Sequence, residues 1–142
     1  MNSNFRKMLL VLALFTMLCG CGDEYDMSWE SMKWKSEVFG YLTKDGKKYI
    51  HVPKYGDRCI FTCTNYNRFW VSSVAITEDG STVIHYENPD DRRIFKDKTI
   101  YVEIESNKMK VYFPPSCAKD RMFEVVVTAG DIFHTFRFMQ SE

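Results

Sequence analysis

The chain has 142 residues, 15% of them aromatic, and its 19 basic and 19 acidic side chains cancel. That aromatic content argues against a disordered chain and for a filled core or an aromatic surface. The absence of a basic excess removes nucleic acid from the expected partners, because phosphates demand a basic face.

The chain opens with Arg6 and Lys7, followed by an apolar run from Met8 to Leu18 that only Thr16 interrupts. Such a run falls short of the roughly 20 residues a permanent membrane helix needs, and has the length of a signal-peptide core. It ends in Leu18-Cys19-Gly20-Cys21, which resembles a lipobox. Leucine stands three before the cysteine, small residues let the peptidase reach the scissile bond, and the Cys21 thiol is the nucleophile that takes the diacylglyceryl group. Cys19 is the poorer candidate, since Met17 and Leu18 are bulky where small residues belong. An ordinary secretory signal with a chance cysteine, or a buried N-terminal helix, does not account for basic start, core length and box together. The expectation is a bacterial lipoprotein: residues 1–20 form a signal peptide that is removed, and Cys21 carries the lipid, testable with palmitate.

Residues 21–31 read as lipidated cysteine and tether. The run Gly22-Asp23-Glu24-Tyr25-Asp26 resembles the surface-export signal of Bacteroidetes lipoproteins, which implies the outer membrane and its outer face; a solvated acidic linker is the competing reading. Without the signal, 122 of the 142 residues remain, with 17 basic against 19 acidic side chains, a net −2. That length suits one domain, residues 32–142.

Within it, short β-runs alternate with turn residues, the pattern of an all-β sandwich or barrel. Met32 to Lys35 is a plausible first strand. Asp45-Gly46 is a turn, Tyr49 to Val52 a strand stopped by Pro53, and Cys59 to Cys63 another. Phe69 to Thr77 closes at Glu78-Asp79-Gly80, Thr82 to Tyr86 follows, and residues 87–98 form a charged loop. A turn at Asn107-Lys108 sets Glu105 against Lys110, Ile104 against Val111 and Val102 against Phe113. A turn at Gly130-Asp131 sets Ala129 against Ile132, Val127 against His134, Val125 against Phe136 and Phe123 against Phe138. A one-residue slip in either hairpin would mix its faces.

Val52-Pro53, Gly56, Phe61-Thr62-Cys63, Asn65-Tyr66, Phe69-Trp70 and the ending Phe136-Arg137-Phe138-Met139-Gln140 resemble small Bacteroidetes lipoproteins with BACON-like, immunoglobulin-like domains. The resemblance spans roughly residues 32–140, and Tyr55-Gly56-Asp57 departs from it where relatives carry two adjacent glycines. It implies an immunoglobulin-like antiparallel β-sandwich of about seven or eight strands, with Trp70 packed near Cys63. Members accompany glycan-degrading systems, and carbohydrate binding has been proposed for BACON domains.

Catalytic motifs are missing from the sequence: no nucleophile elbow, zinc-protease helix or phosphate loop. His51, His85 and His134 sit apart in strand-like runs. Cys59 and Cys63 share a strand face and read as core thiols rather than half a metal site. Cys117 could bridge either of them or stay free. No cofactor or metal is expected.

Two functions follow as expectations. One is a non-enzymatic binding module for glycan or an envelope protein. Its candidate surface is the outward face of the 99–113 hairpin, where Tyr101 and Tyr112 lie on a diagonal beside Glu103 and Lys110. Against that, tyrosine is simply a good strand residue, and a second sheet or the tether could cover the face. The other function is a small envelope enzyme or inhibitor with a site in loops 87–98 and 114–121.

Overall fold

The computed structural model describes residues 29–38, 40–116 and 119–142. Cys21, Cys117, the signal peptide and most of the tether lie outside them. The described residues form eleven strands: β1 (Trp34–Glu37), β2 (Tyr41–Lys44), β3 (Lys47–Pro53), β4 (Asp57–Cys63), β5 (Trp70–Glu78), β6 (Ser81–Tyr86), β7 (Ile94–Lys96), β8 (Tyr101–Glu105), β9 (Lys108–Phe113), β10 (Arg121–Ala129) and β11 (Ile132–Ser141). A five-stranded sheet, in the order β1-β4-β9-β8-β7, faces a six-stranded sheet, in the order β2-β3-β11-β10-β5-β6. The expected all-β sandwich is present, with more strands than the seven or eight anticipated. It is also not wholly antiparallel, because β3 and β11 run parallel, from Ile50 beside Phe138 to Pro53 beside Ser141.

Strict alternation explains which faces meet. On β4 the buried apolar residues are Cys59, Phe61 and Cys63; on β9, Met109, Val111 and Phe113; on β10, Phe123, Val125 and Val127. Period-2 spacing turns each trio to one side, and the sheets close over a shared aromatic centre. Phe61 meets Phe136 at 4.5 Å between ring centroids, and Phe113 meets both Phe123 at 5.1 Å and Phe138 at 5.0 Å. Such tilted ring contacts add to the hydrophobic gain of burial.

Alternation breaks once on β5, where a bulge lies opposite Val126 and Val127. A bulge inserts one residue and reverses the facing of everything beyond it. Val74 and Ile76 therefore point inward on one side of it, and Val71 and Phe69 on the other. The expected place of Trp70 near Cys63 is corrected by this reversal. Phe69, 3% exposed, belongs to the core that contains Cys63, and Trp70 turns away, half-buried.

Polar contacts close the two ends of the sandwich. At one end, Gln140 on β11 donates from Nε2 to Pro114 O at 2.9 Å and Pro53 O at 3.3 Å, joining strand ends of both sheets. Gly56 sits beside it with φ +91°, and a Cβ there would lie 2.5 Å from Phe113 O, so only glycine fits. At the other end, Asn65 and Tyr66 hold the entering chain: Asn65 Nδ2 donates to Ser31 O at 2.9 Å, and the Tyr66 hydroxyl donates to Glu30 O.

Candidate functional site

The outward face of the five-stranded sheet is read from its registers, since residues directly opposite share a face. The β8–β9 hairpin turns at Ser106-Asn107, so Tyr101 pairs with Tyr112, Val102 with Val111, Glu103 with Lys110, and Glu105 with Lys108. The expected register is corrected by two residues. Ser106 bends the chain with a positive φ of 57°. Asn107 is engaged elsewhere: its Nδ2 donates to Cys63 O at 3.0 Å and its carbonyl accepts from Cys63 N at 2.8 Å. A shift of two preserves every facing. The four candidate residues remain on the outward side, and the two tyrosines move from a diagonal to direct opposition.

Their rings lie 5.8 Å apart between centroids, tilted by 47°, both half-buried. Lys96 on β7 stands opposite Tyr101, and Arg58 on β4 stands opposite Tyr112. The result is one row across four strands: Lys96, Tyr101, Tyr112, Arg58. The next row runs Ile94, Glu103, Lys110, Ile60 and Glu37. Lys110 is paired with Glu105 Oε2 at 3.4 Å rather than with its direct neighbour Glu103. Arg58 and Lys96 are exposed and make no ion pair among the described residues.

A cavity of about 850 Å³ opens at the end of the sandwich that carries the 106–107 turn. Arg68, Trp70, Asp90, Asp91, Arg92 and Arg93 are among its lining residues. The two loops expected to share an enzymatic site do not converge there. Residues 89–93 line this cavity, whereas Ser116 binds Lys54 O at the Gln140 end and Lys119 and Asp120 line a separate cleft with Asp79.

The histidines and thiols fall into ordinary packing roles. His51 reaches Ser141 O at 3.4 Å from Nε2. His134 lies against Trp34 and Phe136, and burial, then Arg137, holds its pKa below the usual histidine value. His85 packs on Phe95 at 5.4 Å and shares a cleft with Asp97 and Ser81. Burial would raise the Asp97 carboxyl, but Thr99 Oγ1 and N, at 2.7 and 3.0 Å, outweigh it and hold the pKa down. Ser81 sits four residues from His85 on extended β6, about 13 Å along the strand, so the three do not form a nucleophile triad. Cys59 and Cys63 are free and buried, and burial, then Asp57, pushes the Cys59 thiol up to about 12. A thiol so protonated is a core residue, not a nucleophile. Among the described residues no cluster of His, Cys, Asp and Glu is arranged to hold a metal.

Comparison with known proteins adds one relation. The chain resembles the NMR structure of a protein from Bacteroides thetaiotaomicron at a TM-score of 0.62 and 34% identity, over 87% of this chain and 96% of that one. The chain belongs to the family of that Bacteroides protein. No protein-family model and no curated protein matches it. The family likeness covers nearly the full length of the Bacteroides chain, so the two-sheet framework that carries the tyrosine row is part of it.

Proposed function

We propose that the chain is a lipid-anchored protein of the outer membrane, exposed at the cell surface, whose BACON-like sandwich is a non-enzymatic module that binds glycan. One observation carries the binding reading. Two tyrosines stand directly opposite each other on an outward sheet face with their rings 5.8 Å apart. A tyrosine ring offers an apolar plane to the C–H side of a sugar and a hydroxyl to its polar edge. Two rings set by neighbouring strands make a platform fixed before any ligand arrives, which lowers the ordering cost of binding. Glu103 and Lys110 lie in the adjoining row, within reach of sugar hydroxyls. The absence of a nucleophile triad in the His85 cleft and the protonated state of Cys59 favour binding over catalysis.

The anchor rests on the lipobox and the acidic run behind it. A protein from the genus Bacteroides in the same family agrees with that setting.

The test is a glycan array probed with the wild type and with Tyr101→Ala/Tyr112→Ala, both checked for folding by circular dichroism. The wild type should bind a subset of glycans and the double variant should lose about tenfold or more in affinity. Unchanged binding by a folded double variant removes this face as the site. Wild type that binds no glycan leaves an envelope protein as the better partner.

A further inference from the structure

The tyrosine row has cations at both ends and no acid within it, and from this we propose that the preferred ligand is an anionic sugar chain, bearing carboxylate or sulfate groups. The inference rests on the glycan reading above and narrows it. Lys96, Tyr101, Tyr112 and Arg58 occupy four neighbouring strands in exact register. Strand spacing sets the two cations about 14 Å apart, with the ring platform between them.

Charge on this face is not evenly spent. Lys110, one row away, is matched by Glu105 at 3.4 Å. Lys96 and Arg58 are exposed and have no such partner among the described residues. Glu105, Lys108, Thr62 and Lys35 form a third row, in which Lys35 and Lys108 are likewise exposed and without an ion pair among those residues. Counted over the outward positions of the three rows, Lys35, Arg58, Lys96, Lys108 and Lys110 stand against Glu37, Glu103 and Glu105. The face is therefore positive on a chain whose basic and acidic side chains balance overall. A cationic face attracts anions by its local field whatever the net charge. The arginine adds a planar fork that matches carboxylate or sulfate oxygens. A neutral sugar would use the rings and leave both terminal cations idle, whereas an acidic one engages the row along its whole length.

The experiment compares ligands that share a sugar backbone and differ in charge. The wild-type domain is titrated with polygalacturonate oligosaccharides and with the same oligosaccharides methyl-esterified, and with chondroitin sulfate beside unsulfated chondroitin. The same series is run on Lys96→Gln/Arg58→Gln, which keeps both tyrosines, and on Tyr101→Ala/Tyr112→Ala. Vesicles of phosphatidylglycerol and phosphatidylcholine are an added arm. The proposal expects the more highly charged member of a pair to bind about tenfold tighter, as two exposed charge contacts allow, with the preference lost in the glutamine variant and binding lost in the alanine variant. Equal binding of the more and the less charged member of both pairs overturns the acidic preference and leaves the glycan reading standing. Acidic binding that survives Tyr101→Ala/Tyr112→Ala overturns the row as the site. Binding to anionic vesicles with none to any sugar overturns both readings and assigns the face to a lipid surface.

Discussion

Gln140 shows how much one residue can hold. Its side chain is 1% exposed, and its amide donates to carbonyls at the ends of two strands in different sheets. Pro53 O also accepts from Gly56 N, so Gln140→Ala strands mainly the Pro114 carbonyl and leaves a small void. We expect a loss of about 2 kcal/mol, read as a lower urea midpoint at unchanged slope. His134 makes a different point. Burial against Trp34 and Phe136 disfavours its charged form, so the unfolded chain binds the proton near pH 6.5 while the folded one does not. Stability contributed by the neutral ring is complete above that value. It declines as pH falls from there toward the lower folded pKa. Melting temperatures at pH 7.5 and pH 5 should therefore differ more for the wild type than for His134→Gln, and an equal difference in both would refute this role.

At the scale of strands, the legible parts of the chain were those where the turn chemistry was not contested. Gly130 supplies the positive φ of its turn, and the β10–β11 pairing matches the expectation at every position from Ala129–Ile132 to Phe123–Phe138. At the neighbouring hairpin, Asn107 was the natural turn residue by propensity, but a tertiary contact with Cys63 uses its amide and leaves Ser106 to bend the chain. The candidate tyrosines keep their outward face because facing depends only on whether a register shift is even. Two strands carry too short a pattern to be legible in the sequence. β2 is four residues with a mostly exposed pattern, and β7 is three residues inside a charged loop, so neither shows alternation long enough to read. The parallel β3–β11 pair is a matter of topology, which no local pattern encodes. The β5 bulge was equally hidden, and with it the exchange of Phe69 for Trp70 in the core.

Across the whole molecule, the proposed anchor and the proposed binding face can be related. The chain enters at Glu30 and Ser31, held by Tyr66 and Asn65, at the sandwich end that also carries the 850 Å³ cavity. Residues 22–29 reach at most about 27 Å when fully extended, so a lipid on Cys21 would keep this end toward the membrane. The tyrosine row lies along the side of the sandwich, clear of that end. Cys21→Ala should abolish palmitate labelling and leave either unprocessed precursor or soluble protein; normal labelling of the variant would refute the anchor. The central claim, that the outward β8–β9 face is the binding surface, is tested most directly by titrating a glycan that the array identifies into ¹⁵N-labelled protein and mapping the backbone amides that shift. The account predicts that the shifts centre on Arg58, Lys96, Tyr101 and Tyr112. Shifts confined to Arg68, Trp70 and residues 89–93 would contradict it and place the ligand in the cavity at the end of the sandwich.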